Sequence, residues 1–211
     1  MHPAELAAFV LLIAALFGSA EVLRRRGVRA DVTRRYTHAA GASVAALLPA
    51  LLSLAETVAL GVAVAAMLAW THRQGLLRSV HGVERPTLGA ALFPVGLALG
   101  AIVGWAEPAS YVLGTLTFAV ADPAAATVGE RITSPRWAVW RGTKSLSGSL
   151  TFVAVAIVIG LVASVWAPLG LVAIVAVAVI LAVIEGLLGF GLDNVVLPPI
   201  AVLAWRVVVG D

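Results

Sequence analysis

Acidic, cationic and small hydroxyl side chains gather in one stretch of an otherwise apolar chain. Asp122 comes first, Gly129 and Arg131 follow, and Lys144 begins the run Lys-Ser-Leu-Ser-Gly-Ser at 144–149. Mg²⁺ bound to a triphosphate needs one or two carboxylates, because it keeps several waters and takes phosphate oxygens as further ligands. The phosphates need cations and small hydrogen-bond donors, preferably at a helix start where N–H groups are free. The stretch therefore predicts a phosphate and metal site.

A second group of polar residues lies near the end of the chain. Glu185 interrupts an apolar run, and Asp193 and Asn194 precede the last one. Ionisable groups within membrane helices are costly and usually line a cavity or a functional site. We therefore expect Asp122, Asp193 and Asn194 to supply metal ligands. The residues expected to hold the phosphates are Lys144, Ser145, Ser147 and Gly148, with Arg131 bracing them.

Several of these residues also have an ordinary structural explanation. Lys144 fits a cationic anchor at a helix end on the cytoplasmic side of a membrane. Ser145, Ser147 and Gly148 fit close packing between helices. His38 fits a polar residue at the membrane interface. The intramembrane carboxylates Asp122, Glu185 and Asp193 are harder to explain in this way, and they are the strongest argument for a functional site.

Composition assigns the chain to the membrane proteins. Of its 211 residues, 61% are hydrophobic and only 12% are charged, and the mean hydropathy of +1.04 excludes an ordinary soluble domain. Long runs of Ala, Val and Leu without alternation predict membrane helices rather than a barrel. The absence of cysteine excludes disulfides, thiolate metal sites and a cysteine nucleophile.

The charges divide the chain into pieces near the length of about 20 residues that a spanning helix needs. We predict an all-α, polytopic protein with about eight transmembrane helices and a single membrane-embedded domain over 1–211. Proline disfavours helical geometry in the residue before it, so Asp122 before Pro123 is predicted to end one half-helix and cap another. Pro198 and Pro199 are expected to kink the last helix. The first four predicted spans are 3–23, a helix entered through His38 and ending near Leu54, 56–70 and 87–106. The fifth starts at Ala109 and breaks at Asp122. The sixth and seventh lie within 145–184 and turn at 167–170, and the eighth follows Asn194 and ends near Val209.

The basic residues predict the orientation in the membrane. All of them except Arg206 lie in the loops 24–37, 71–87 and 122–147, and cytoplasmic loops collect Lys and Arg. These loops, and the site they contain, are therefore predicted to be cytoplasmic, with both termini outside. The net charge of +3 is explained by this sidedness, so no nucleic acid partner is expected. The first apolar run lacks a preceding basic residue and is expected to be a retained helix rather than a signal peptide.

Four motifs resemble, in order, those of the dolichol kinase, phytol kinase and farnesol kinase group, to which CTP-dependent diacylglycerol kinase also belongs. The resemblance covers nearly the whole chain from Glu21 onward. The motifs are Arg34-Arg35-Tyr36-Thr37-His38, Asp122 with Gly129-Glu130-Arg131, the run 144–149, and Glu185 followed by 193–198.

The resemblance implies a membrane enzyme that transfers the terminal phosphate of CTP to the hydroxyl of an isoprenoid or other lipid alcohol and releases CDP. It implies Mg²⁺ as cofactor, with CTP, the lipid alcohol and membrane lipids as partners. Arg35 is a departure, because lysine is expected there and the two are not equivalent at a phosphate. The implied nucleotide and metal residues are Asp122, Gly129, Arg131, Lys144, Ser145, Ser147, Gly148, Asp193 and Asn194, and those near the lipid head group are Arg34, Arg35, His38 and Arg85.

The catalytic base stays open between His38, Glu185 and Asp193. Phosphoryl transfer passes through a loose transition state, so positioning and charge neutralisation matter most and a base acts late. A related alternative is a cytidylyltransferase acting on phosphatidate, which would release pyrophosphate; the Lys-Asp pair expected late in that family is not found. A lipid transporter or flippase also uses broken helices and intramembrane carboxylates, but here the polar motifs favour one face.

Overall fold

The structure, a computed structural model, describes residues 3–83 and 87–210 and is mostly helical, as predicted. A two-stranded antiparallel hairpin is the exception to an all-α fold, and it pairs Trp137 with Lys144. The elements of the described part are α1 (Pro3–Arg25), α2 (Ala30–Ala45), α3 (Leu54–Arg73), α4 (Arg78–His81), α5 (Gly89–Gly104), α6 (Pro108–Arg131), β1 (Arg136–Val139), β2 (Gly142–Ser145), α7 (Leu146–Ala163), α8 (Leu171–Leu187) and α9 (Asp193–Val209).

Four of these helices are long and apolar enough to cross a membrane. They are α1 from Ala7 onward, α3, α6 and α7, while α5 and α8 are apolar but shorter. Local sequence features explain where α3 and α6 begin. Ser53 and Glu56 form a capping box at α3, in which the Ser53 N–H donates to Glu56 Oε2 over 2.9 Å. Pro108 occupies the first turn of α6, where its missing N–H is not needed. The full set of eight spans remains a prediction.

The predicted break at Asp122 is wrong, because α6 runs without interruption from Pro108 to Arg131. Pro123 removes only the hydrogen bond to the carbonyl of Ala119, and a proline inside a helix costs about 3 kcal/mol. Helix α6 packs against α2, α5, α7 and α9. This packing on several sides outweighs the local preference for a break.

The second helix also differs from its prediction. Helix α2 begins at Ala30 rather than near His38, and it ends at Ala45, before a 3₁₀ turn at Leu48–Ala50. Much of the basic segment that was predicted as a loop is therefore helical. As a result Arg34 and His38 lie four residues apart, on the same face of one helix.

Close packing joins the first half of α6 to the second half of α9. A Cβ atom on Gly114 would lie 2.5 Å from the backbone nitrogen of Val202, so α6 and α9 touch backbone to backbone. The Trp205 Nε1–H donates to Thr117 Oγ1 over 3.0 Å, and the Tyr111 hydroxyl donates to the Ala45 carbonyl over 3.1 Å. These buried bonds tie α9 to α6 and α6 to α2.

Candidate active site

Three carboxylates from three different helices meet at one point. Asp122 lies on α6, Glu185 near the end of α8, and Asp193 in the first turn of α9, and one carboxylate oxygen of each lies within 4.8 Å of the others. Their side chains are only 18%, 6% and 16% exposed. Buried carboxylates repel one another unless cations join them. The cluster therefore needs positive charge.

Lys144 on β2 supplies part of that charge. Its Nζ makes a close ion pair with Glu185 and lies 3.3 Å from Asp193 Oδ2. Burial alone would lower the pKa of Lys144, but the carboxylates of Glu185, Asp193 and Asp122 outweigh burial and raise it above its ordinary value. The ammonium therefore stays charged at neutral pH. With all three carboxylates ionised, one ammonium would leave two negative charges for a metal ion to balance, and oxygen donors are the ligands that Mg²⁺ prefers.

The hairpin positions Lys144 against α8. The indole Nε1–H of Trp137, its partner across the hairpin, donates to the Gly186 carbonyl over 2.8 Å. At the hairpin turn Arg141 has a φ of 53°, and its guanidinium lies 4.9 Å from the centroid of the Phe190 ring. Phe190 itself has a φ of 59°. Non-glycine residues with a left-handed backbone conformation are uncommon and are often found near functional sites.

Ser145 caps α7, as expected for a polar helix start. Its Oγ accepts from the Gly148 N–H over 3.3 Å. A Cβ on Gly129 would lie 2.5 Å from this Oγ and 3.4 Å from Gly148 Cα, so α6 and α7 cross closely here. The two glycines therefore serve helix packing, and both also line the cavity in front of the cluster.

His38 stands on the other side of Asp122. Its Nε2 lies 3.3 Å from the Phe118 carbonyl oxygen and 3.8 Å from Asp122 Oδ2. A carbonyl can only accept a hydrogen bond, so this contact places the ring proton on Nε2 and leaves Nδ1 as the basic nitrogen. The imidazole packs against the rings of Phe93 and Phe118, with centroids 4.9 and 4.4 Å away.

A cavity of about 940 Å³ joins these groups. Arg34 lines it and donates to Thr87 Oγ1 over 3.4 Å, while Arg35 makes a close ion pair with Glu130. A cavity of this volume accommodates a small-molecule ligand, and guanidinium groups suit phosphates. The cations that line it are Arg24, Arg29, Arg34, Arg35, Arg136, Arg141 and Lys144.

Comparison with curated proteins finds a phytol kinase of Synechocystis sp. that is 30% identical over 197 residues, covering 89% of this chain and 84% of that protein. The chain belongs to the phytol kinase family. No protein-family model matches it, and no solved structure gives a significant match. Membership confirms the resemblance seen in the motifs and supports a kinase activity at the level of the family.

In this phytol kinase family member, most of the predicted residues meet at the cavity. Those that line it are Arg34, Arg35, His38, Asp122, Gly129, Lys144, Ser145, Gly148, Glu185, Asp193 and Asn194. Ser147 and Arg131 are not among the lining residues of the described part. The Ser147 Oγ accepts from the Ser134 hydroxyl over 2.9 Å, and Arg131 is exposed at the end of α6. Arg85 lies outside the described residues.

Arg136 and Arg141 are among the lining residues that were not predicted, and Ser149 also lines the cavity but was predicted only as part of the run 144–149. The guanidinium of Arg136 donates to the Gly129 carbonyl over 2.8 Å, so it takes a position close to the one expected for Arg131. The signal for Arg141 was the Arg-Gly pair at 141–142, because glycine marks tight turns. Ser149 lies about one helical turn from Ser145 and so faces the same side of α7.

Proposed function

We propose that this member of the phytol kinase family transfers the terminal phosphate of CTP to the hydroxyl of an isoprenoid alcohol, such as phytol, geranylgeraniol or a polyprenol, and releases CDP. One observation carries the proposal. The cluster of Asp122, Glu185 and Asp193 with Lys144 faces a cavity lined by arginines, in a chain related to a phytol kinase. Metal-ligating carboxylates beside phosphate-binding cations are what a nucleotide-dependent kinase needs.

The residues present fit Mg²⁺, which Asp122, Asp193 and Asn194 would hold. Asn194 is buried, lines the cavity, and donates through its backbone N–H to Asp193 Oδ1 over 3.0 Å, which orients that carboxylate. When bound, the metal would neutralise charge on the phosphates and favour loss of the CDP leaving group.

The reaction breaks the bond between the terminal phosphorus and the bridging oxygen of CTP and forms a bond from that phosphorus to the alcohol oxygen. Lys144, with Arg34 and Arg136 in the same cavity, binds the phosphate oxygens and balances their charge as the bond to CDP lengthens. The first N–H groups of α7 are already engaged by the Pro135 carbonyl and the hydroxyls of Ser134 and Ser145, so binding of the phosphates depends on these cations.

Among the three candidate bases we favour His38. Glu185 and Asp193 are already engaged by Lys144, whereas Nδ1 of His38 is the basic nitrogen of a ring that Phe118 and Asp122 hold on its other side. The alcohol proton goes to Nδ1, and Asp122 stabilises the resulting imidazolium.

The test uses purified protein in detergent with Mg²⁺, CTP labelled in the terminal phosphate, and a panel of lipid alcohols together with phosphatidate. Label in an alcohol with release of CDP is expected, and ATP in a parallel series measures nucleotide preference. Label released as pyrophosphate with consumption of phosphatidate would make the protein a cytidylyltransferase. No nucleotide turnover with any lipid would overturn the proposal and favour transport.

We also propose that the site faces the cytoplasm and that both termini lie outside. Since the chain has no cysteine, single cysteines can be introduced without background. Thr143→Cys in the hairpin should be labelled by a membrane-impermeant maleimide only after cells are opened. Ala106→Cys, before the start of α6, should be labelled in intact cells. The reverse labelling pattern would show the opposite orientation in the membrane.

A further inference from the structure

A second, apolar cavity of about 100 Å³ lies between α1, α2, α3 and α5. Phe9, Leu16, Val44, Leu60, Val64 and Leu97 are representative of its walls. Apolar cavities of this kind stay dry and take up apolar ligands. We call it the apolar groove.

The apolar groove continues directly from the polar cavity. Phe17, Thr37, Leu68 and Phe93 line both, and they come from all four helices that surround the groove. His38 follows Thr37 and packs against the Phe93 ring. His38, which we favour as the base, therefore lies at the junction between the polar cavity and the apolar groove.

The groove is also open sideways. Helix α1 packs against α2, and α3 packs against α5, but among the described residues α1 and α3 do not pack closely on each other. Leu12, which lines the groove from α1, is 46% exposed. In a membrane this side faces lipid chains, so a lipid can enter without passing through water.

We infer that the apolar groove holds the isoprenoid tail of the alcohol and that its junction with the polar cavity presents the hydroxyl to His38. This inference rests on the proposed function. The tail is the occupant because the groove meets the polar cavity where the hydroxyl must react, and because its walls offer almost no polar partner. Along α1 the groove extends from Phe17 to Phe9, a rise of about 12 Å.

Blocking the groove at two depths tests the inference. Gly41 lies one turn beyond His38, and a Cβ on it would already contact Phe93 at 3.5 Å and Leu16 at 3.6 Å. Gly41→Leu should therefore lower kcat/KM about tenfold or more for every prenyl alcohol, since displacing even one methylene in an apolar pocket costs about 10- to 200-fold. Val44→Phe, one turn deeper, should penalise geranylgeraniol and phytol more than geraniol. The KM for CTP should not change.

Gly18→Leu is the matched control. It adds the same side chain to α1 at a position with nothing within 4 Å of the new Cβ, outside the residues that line the groove, and should keep the parent's alcohol preference. A second measurement needs no variant. A geranylgeraniol analogue with a diazirine on its tail should crosslink to peptides from 9–17 and 41–64, mapped by mass spectrometry.

The outcomes separate the two proposals. If the parent protein phosphorylates alcohols but the block variants keep its chain-length preference and the diazirine labels other helices, the groove inference is overturned and the proposed function stands. If the parent phosphorylates no alcohol, the proposed function fails, and the crosslinking pattern alone decides whether the groove binds a prenyl tail.

Discussion

Helices α6 and α1 are both long enough to cross a membrane, yet they are used in opposite ways. In the most apolar window of α6, 56% of the residues are buried in the protein, against 11% for α1. Helix α6 touches four other helices and carries Asp122, whereas α1 packs against α2 and α4 and lines the apolar groove. The well-packed span carries a carboxylate of the candidate site, and the poorly packed span forms one wall of the apolar groove.

The largest expected effect is at the charged centre of α6. Asp122→Asn keeps the size of the side chain but removes a carboxylate from the cluster, and it should lower the transfer rate by about 10³-fold. Glu107→Gln makes the same chemical change just before the start of the same helix and should keep the parent rate. Initial rates of label transfer at saturating CTP measure both. Equal rates for the two variants would remove Asp122 from the site.

Lys144→Met should lower activity by about 10²- to 10³-fold and also destabilise the protein by about 3 kcal/mol, because it leaves Glu185 buried without its partner. Adding Glu185→Gln should restore most of the melting temperature but none of the activity. Thermal unfolding in detergent and the transfer assay, run on the same preparations, separate the two effects. Recovered activity in the double variant would reduce Lys144 to a structural role.

The pH dependence of this pair follows from the raised pKa of Lys144. A raised lysine pKa gives stability that is complete below the unfolded value of about 10.4 and is lost only as pH rises through the higher folded value. Lys144 itself therefore contributes equally at pH 6 and pH 9. The unpaired Glu185 carboxyl of Lys144→Met, however, escapes its burial cost by taking up a proton at low pH, so the difference in melting temperature between the parent and this variant should be smaller at pH 6 than at pH 9.

A matched pair of glycine substitutions tests the packing contrast without touching the site. Gly114→Ala places a Cβ 2.6 Å from Val202 Cα on α9, and such overpacking costs about 1–3 kcal/mol. Gly18→Ala on α1 meets nothing within 4 Å and should leave the melting temperature unchanged or slightly raised. Equal melting temperatures would contradict the close crossing of α6 and α9.

The smallest effect is expected where α2 meets α6. Glu130 is 44% exposed in its ion pair with Arg35, so Glu130→Gln should change stability by less than about 1 kcal/mol and activity by less than about threefold. If Arg35 contacts the substrate, Arg35→Gln should instead raise a KM, for CTP or for the alcohol. If Glu130→Gln and Arg35→Gln change the KM values equally, Arg35 only pairs α2 with α6 and does not contact the substrate.

Charges in apolar runs made part of the candidate site predictable from sequence. Asp122, Glu185 and Asp193 stand out because burying a carboxylate is costly, and Lys144 and Ser145 because a polar pair opens a helix. The break at Asp122 was predicted wrongly because proline's local preference is visible in sequence, whereas the packing of α6 that overrides it is not. Ser147 was predicted to bind phosphate but does not line the cavity. Each residue turns the helix by about 100°, and the sequence alone did not show which serines of this run face the cavity.

The apolar groove was invisible in the sequence for a different reason. Leucines and valines that line a groove and those that face lipid have the same composition, and lipid-facing and buried positions of a membrane helix are both apolar. Among the described residues, the loose packing of α1 against α3 is what distinguishes them. The hairpin was missed because its short strands lie in a polar linker without clear alternation.

The gap between α1 and α3 carries a kinetic consequence. On the proposed function, the nucleotide would approach through the arginine-lined end and the alcohol through the bilayer, so neither substrate would stand in the other's path. Binding should therefore follow no fixed order, and double-reciprocal plots for the two substrates should intersect. The effective concentration of the alcohol is then its mole fraction in the membrane, and diluting it with inert lipid should slow the enzyme even when its amount per volume is unchanged.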